Sequence, residues 1–437
     1  MGDAFLTRRG AKEQKITFND TPMVAVKTLS NVLSVPRYDA AVAFDKEYLA
    51  LVCGLDAYGR PVSDIDFFNR SGKHWHASWP DELTNMSAII LGHRLIGIGG
   101  RYADGTCSAM VKRWALNLAL KDEGIPVSMH DISPGRDAAT VIQLRDGALA
   151  VGGSLSNYEV GGKTFFWITS NTKATSNDAG FINFSPLAHP RAYCAMCRVT
   201  DRGILVAGGI DEATKTLLSS TETMALNVKG EMVLGAREDL SAAQYKPATA
   251  EIYADDGTHC GLVGLGQTLP KMQGNLVIPA TIVPYIDIFY TSATDQLQIE
   301  NSKFGTITLP LEGRPTSAVG LSFGDCALFV VGYNDGVTKC KGYLIQLSPL
   351  RVNTMEFNFS RGYLQGGVIG NDVAYLACGN KNGQVSTDVE MIQLLRNVPI
   401  YPGMKYKVGS MASEETSNIL TLHPLNDEIK LSGYMKL

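Results

Sequence analysis

The chain has 437 residues, of which 45% are hydrophobic and 19% charged. That apolar content excludes a disordered scaffold, and the length exceeds what one ordinary core uses unless the core is built from repeats. With 39 basic against 43 acidic residues, a net charge of −4 and no long block of one sign, nucleic acid is not the implied partner.

Residues 1–21 read as a polar N-terminal arm with no apolar stretch after its charges, so no secretory signal is expected. The longest apolar runs, such as Leu95–Gly100 and Leu328–Val331, are strand-sized, and none approaches the ~20 residues that span a bilayer. The eight cysteines are scattered, mostly inside apolar runs, and read as buried hydrophobes of a protein folded in a reducing cytosol.

Residues 22–396 carry an internal repeat. Each unit has an Arg-containing turn, an alternating strand, a short connection, and an apolar strand ending in glycine, followed by a polar loop and a third strand. Seven copies end at Gly54, Gly100, Gly153, Gly209, Gly264, Gly332 and Gly379. The steps between them are 46, 53, 56, 55, 68 and 47 residues. The register is tighter than the period: Arg37, Arg136, Arg191, Arg314 and Arg361 each precede their terminal glycine by 17 or 18 residues. Third strands are expected at Asp64–Asn69, Ala109–Leu116, Thr164–Thr169, Thr221–Leu226, Tyr285–Tyr290, Lys341–Leu347 and Asp388–Leu394. More polar fourth strands lead into the next unit, as in Phe181–Phe184 and Met355–Phe359.

The second strand, for example Leu149–Gly153, is apolar on both faces and must be sandwiched between neighbouring sheets. One four-stranded unit cannot bury both of its faces, whereas a closed ring can. The expectation is an all-β, seven-bladed propeller with a short N-terminal arm and a small C-terminal β extension. On Gly99-Gly100, Gly152-Gly153, Gly208-Gly209 and the Trp75 that follows Phe67-Phe68, residues 22–396 resemble the kelch-repeat family. They depart from its pattern where the first, sixth and seventh units keep one glycine of the pair. The tryptophan position is largely lost after the first unit, and the fifth unit is the least regular.

Met23–Thr28 precedes Pro36-Arg37 much as fourth strands precede the other units. It is therefore expected to be the outer strand of the last blade, closing the ring with the N-terminal segment. The tail, residues 397–437, contains strand-like pieces at Lys405–Val408, Asn418–Leu422 and Glu428–Tyr434. A lone hairpin is marginal in water, so the tail should pack on one face of the ring or on a partner.

Both ends carry a second resemblance. Met1–Gly10 looks like the start, and Ile429–Leu437 like the closing strand, of tail and baseplate structural proteins of bacteriophages and prophages. The resemblance implies a virion component of the tail, neck or baseplate, present in multiple copies and assembled in the bacterial cytoplasm. Its partners would be other virion proteins and a host-surface glycan or protein. The apolar pair Phe5-Leu6 and the basic pair Arg8-Arg9 are the candidate attachment residues; the alternative is a frayed terminus.

No catalytic constellation stands out. The five aligned arginines (Arg37, Arg136, Arg191, Arg314, Arg361) read either as a cationic ring at the channel mouth or as structural groups pairing with carboxylates and loop carbonyls between blades. Recurrence favours the structural role. Trp75 and Trp79 could stack on a sugar or fill space between blades. No histidine spacing suits a metal, and no phosphate-binding or nucleophile motif appears, so no cofactor is expected. Two alternatives stand beside a non-enzymatic virion role with no membrane insertion. One is a cytoplasmic kelch adaptor; the other is a carbohydrate-active enzyme, which needs carboxylates clustered in one channel mouth.

Overall fold

A computed structural model describes residues 4–6, 14–18, 22–116, 127–291, 303–347, 350–396, 399–400, 418–420, 423–424 and 430–432. Left out of the long middle stretch are 129–130, 133, 145–146, 157–164, 170–181, 184–186, 200–202, 212–213, 227–231, 254–258 and 275. Among the described residues there are strands and turns and no helix, so none is long and apolar enough to cross a membrane.

The repeat unit becomes an antiparallel sheet of consecutive strands. Blade 1 is Ala41–Phe44, Tyr48–Val52, Asp64–Asn69 and His74–Ser78. Blade 2 runs from Ser87–Ile90 to Val127–Ser128, blade 3 from Thr140–Leu144 to Ile182–Asn183, and blade 4 from Ala195–Arg198 to Met232–Arg237. Blade 5 runs from Ala248–Tyr253 to Lys303–Thr308 and blade 6 from Ser317–Ser322 to Leu350–Glu356. Blade 7 takes Gln365–Ile369, Val373–Ala377 and Val389–Leu395, then Met23–Leu29 as its fourth strand. The first strand of each blade contacts the first strand of the next, and that of blade 7 contacts that of blade 1. The architecture is a closed β-propeller.

The ring closes as the order of polar and apolar strands suggests. Met23–Leu29 pairs antiparallel with Val389–Leu395 from Met23↔Leu395 to Leu29↔Val389. One blade is therefore built from both ends of the repeat region, and opening the ring requires breaking a full seven-residue ladder.

Burial follows strand position. The second strands Gly203–Ala207, Cys326–Gly332 and Val373–Ala377 are buried at every residue, whereas His74–Ser78, the outermost strand of blade 1, is half-exposed. Successive side chains of a strand face opposite neighbours. Phe67 packs with Trp79 and Met86 toward blade 2, and Phe68 packs with Tyr375 and Met391 toward blade 7. Each such buried aromatic contributes roughly 1.5–3 kcal/mol.

The glycines explain how closely blades approach. Gly152 has φ +71°, and a Cβ there would lie 2.3 Å from the Arg191 carbonyl oxygen. The next amide, of Gly153, donates to that same oxygen at 3.0 Å. A side chain at 152 would prise apart the backbone contact that joins blade 3 to blade 4.

Two sequence expectations are corrected. The terminal glycine of blade 5 is Gly266 and not Gly264. Ala248 pairs with Gly264 as Ala41 pairs with Val52, which places the equivalent of Gly54 two residues later. The described pieces from Asn418 onward add edge-on to outer strands of the ring and do not pack on a face. Asn418–Leu420 pairs with Met23–Leu29, His423–Pro424 with Leu350–Glu356, and Lys430–Ser432 with Lys303–Thr308. These pieces lie at the rim, adding a fifth strand to blades 7, 6 and 5 in turn and pairing with the fourth-strand edges. Of its expected pieces, Lys405–Val408 lies outside the described residues.

Candidate functional site

The aligned arginines occupy the turn into each first strand. Four residues after each of them, the first strand begins pairing: Arg37 before Ala41↔Val52, Arg136 before Thr140↔Val151, Arg191 before Ala195↔Ala207, Arg361 before Gln365↔Ala377. All four are buried. Arg191 donates to the carbonyls of Gly208 and Ser220, both at 2.9 Å, and to Glu222 at 2.7 Å. Arg361 donates to the Asp388 carbonyl at 2.7 Å and to Glu390 at 2.9 Å. Arg37 meets Asp66 at 2.6 Å. Arg136 donates to the Gly152 carbonyl at 3.0 Å, and burial pushes its guanidinium down to about 10. These groups are internal anchors; a cationic ring facing the channel is not what they form.

Arg314 departs from the set. In blade 6, Val319 pairs with Val330, so Pro315 holds the position four residues before. Arg314 falls one residue earlier and is exposed. In blade 5 the buried Gln244 takes the place, its Oε1 accepting from the Gly266 amide at 2.7 Å.

A matching acid on the third strand escaped the sequence reading. Asp66, Glu222, Asp287 and Glu390 are all buried and lie opposite Leu51, Val206, Val263 and Leu376. Each carboxylate secures the chain entering its blade. Asp66 accepts from the Ser34 amide and hydroxyl, Glu222 from the amides of Ala188 and His189, and Asp287 from the Ser241 amide and hydroxyl. Burial raises the Glu390 carboxyl above its ordinary range despite Arg361. The signal was present, as an acid two residues or fewer into an otherwise apolar third strand.

In every blade but the sixth, the residue two after the arginine position turns left-handed. Asp39, Asn85, Ala138, Tyr193, Lys246 and Tyr363 have φ between 47° and 56°. Backbone bonds link several into an arc: Ala138 donates to Asn85 at 2.8 Å, Tyr193 to Ala138 at 3.1 Å, and Lys246 to Tyr193 at 3.1 Å. All six border one mouth of a central channel of about 740 Å³.

That mouth is aromatic and internally compensated. Lys246 of blade 5 reaches Asp39 of blade 1 at 3.2 Å, an ion pair between non-adjacent blades. Burial alone would lower the Lys246 ammonium, but Asp39, Tyr245 and Tyr363 together hold the group above its usual value. Tyr193 and Tyr245 lie 4.8 Å apart between ring centroids, with the Lys246 ammonium 5.1 and 5.7 Å from them. Tyr38 and Tyr363 form a second pair at 6.1 Å.

The other mouth is set by Arg198 and Glu251, paired at 2.8 Å. His259 Nε2 approaches Glu251 at 3.5 Å, and its ring stacks on Tyr253 at 4.1 Å. Burial would raise the Glu251 carboxyl, but His259 and Arg198 hold it down at about 2. Among the described residues, no group of three or more metal-ligating side chains occurs.

Trp79 is buried between blades 1 and 2, against the α-carbon of Gly97, where a Cβ would meet its ring at 2.5 Å. Trp75 stacks on Phe67 at 5.3 Å and meets Tyr48 edge-on. Both pack within the ring wall. Of the terminal candidates, Phe5 and Leu6 lie in the strand Ala4–Leu6, opposite Lys15 and Gln14. The strand Gln14–Phe18 also pairs with Pro399–Ile400, so the N-terminal strands share one small sheet with the start of the C-terminal tail. Arg8 and Arg9 lie outside the described residues.

No protein-family profile matches the chain. No curated protein matches it either. Among solved structures 312 chains match, a breadth that speaks for the architecture and not for one activity. One of them, titled "Structure of YjhT", superposes with a TM-score of 0.51 at 11% identity, covering 74% of this chain and 99% of its own. At that identity the likeness shows the fold alone.

Proposed function

We propose that this chain is a non-enzymatic structural protein of a bacteriophage virion, a kelch-type propeller of the tail, neck or baseplate. One end of its ring recognises a host-surface glycan or protein, or a neighbouring subunit. The observation that carries the recognition role is the distribution of exposed apolar side chains. Tyr58, Val337 and the hairpin Lys271–Gln273/Leu276–Ile278, with Met272, Leu276 and Val277 more than half exposed, all lie between second and third strands. The strand register puts those loops at the end where first strands begin, which is the tyrosine-lined mouth. Of the eight large hydrophobics exposed among the described residues, six lie at this end and Phe44 and Tyr253 at the other; such a concentration marks an interaction surface.

The kelch reading is supported by Gly99-Gly100, Gly152-Gly153 and Gly208-Gly209, whose residues all have positive φ at the inter-blade contact. The virion reading is supported by the terminal resemblances and by the small sheet that the N-terminal strands build outside the ring. The closing strand Lys430–Ser432 is engaged on blade 5, so attachment falls to the N-terminal sheet. No cofactor, nucleic acid or membrane insertion enters this role, and the copies work within an assembly. Mass spectrometry of purified particles tests it: peptides of this chain are expected in stoichiometric amounts with known tail proteins. Their absence from intact particles overturns the virion reading.

A further inference from the structure

We infer that the tyrosine-lined mouth binds a neutral sugar unit of a glycan. This deepens the reading of that end as receptor-facing, and rests on it for its biological setting. Side chains from five blades converge there: Asp39, Asn85, Tyr193, Tyr245 with Lys246, and Tyr363, whose ring meets that of Tyr38. Tyrosine faces suit the apolar C–H faces of a pyranose, while their hydroxyls and the flanking carboxylate, amide and ammonium suit its alternating hydroxyls. The mouth opens into the central channel of about 740 Å³, which leaves room for a sugar ring to enter.

Charge narrows the class. Among the described residues that line this mouth, the charged ones are Lys246 and Asp39, 3.2 Å apart and compensating each other. An anionic or cationic ligand would have to break that pair and strand one member. A neutral polyol can hydrogen-bond to both without separating them.

Backbone strain argues that these side chains serve the mouth as well as the packing of Tyr193 and Tyr245 against Ala192 and Ile210. Tyr193, Lys246 and Tyr363 adopt φ of 51°, 47° and 56°, where glycine or asparagine rests at least cost. Ala138 holds the same position in blade 3 with φ 52°. The propeller therefore needs no large group there. Bulky residues persisting in a disfavoured conformation are a mark of a site whose chemistry requires them.

The test uses the full chain and saturation-transfer NMR with glucose, galactose, N-acetylglucosamine, lactose and maltotriose, with glucuronate and an acidic tetrapeptide as charged controls. At least one neutral saccharide should receive saturation. Tyr193→Gly and Lys246→Gly should weaken its binding at least tenfold while the far-UV circular dichroism stays native, the relief of a left-handed residue offsetting part of the packing and pairing each removes. Tyr193→Asn serves the same purpose should the glycine variant fold poorly. Silence from every neutral saccharide, preference for a charged control, or binding unchanged in these variants overturns the inference. Particles that contain the chain while the pure protein binds no saccharide refute this inference alone. Saccharide binding by a chain absent from particles refutes the virion reading alone.

Discussion

Replacing Arg191 by alanine tests whether the recurrent arginines hold the ring together. The guanidinium makes hydrogen bonds to the Gly208 carbonyl, the Ser220 carbonyl, the Ser220 hydroxyl at 3.0 Å and the Glu222 carboxylate. Truncation strands Glu222, which is 4% exposed, and removing one partner of a buried ion pair costs about 3–5 kcal/mol. The amides of Ala188 and His189 still reach that carboxylate, which keeps the loss from exceeding this range. Glu222→Gln preserves an acceptor and removes only the charge, so it should cost about 2 kcal/mol, the scale of one charge-assisted hydrogen bond. Arg314→Ala is the internal control: an exposed group one residue out of register should change stability by no more than ~0.5 kcal/mol. Urea denaturation followed by tryptophan fluorescence and far-UV circular dichroism measures all three. If Arg191→Ala and Arg314→Ala unfold within about 1 kcal/mol of each other, the anchoring role assigned to the buried arginines is wrong.

Four further outcomes are expected. The Glu251 carboxyl is depressed from 4.5 to about 2, so its ionisation stabilises the fold above pH 4.5, and that contribution disappears as pH falls to about 2. The amount is about 3 kcal/mol; wild-type protein should lose that much more stability than Glu251→Gln between pH 5 and 2, and parallel acid titrations would remove the case. All eight cysteines are free and seven are buried, with burial pushing Cys53 and Cys326 up to about 12 and Cys107, also raised by Asp137, up to about 11. A thiol reagent at pH 8 should label no more than Cys107 before denaturation and eight groups after it. Gly152→Ala should destabilise by at least ~2 kcal/mol, combining a left-handed alanine with a clash against the Arg191 carbonyl, and a melting temperature unchanged within error would contradict the packing. Deleting residues 1–20 should leave a monomer with native circular dichroism, whereas deleting 1–29 removes the fourth strand of blade 7 and should yield an aggregating chain by light scattering; equal behaviour of the two deletions would deny the closure.

Much of the ring is legible in the sequence because repetition makes local signals mutually reinforcing. Second strands that are apolar on both faces, such as Gly203–Ala207 and Cys326–Gly332, have to lie between sheets wherever they occur. A fourth strand missing from the last unit and a spare strand at Met23–Leu29 imply each other. The site is less legible. Arg314 keeps the spacing in number but not in register, because register is set by strand pairing and a one-residue shift leaves the count within its tolerance. The acids Asp66, Glu222, Asp287 and Glu390 are ordinary in isolation and gain meaning only opposite Arg or a loop amide.

By itself, then, the order of residues determined the four-stranded unit, the need for a closed ring and the means of closing it. These depend on burial, which is written in alternation and apolar runs. Three things were decided only when the chain closed in space: the turning inward of Tyr193, Lys246 and Tyr363, the pairing of Asp39 with Lys246 some two hundred residues later, and the pairing of the tail's described pieces at the rim. Contacts across an axis leave no local trace, since the partners share no strand, turn or period; geometry brings them together and the sequence between them is silent.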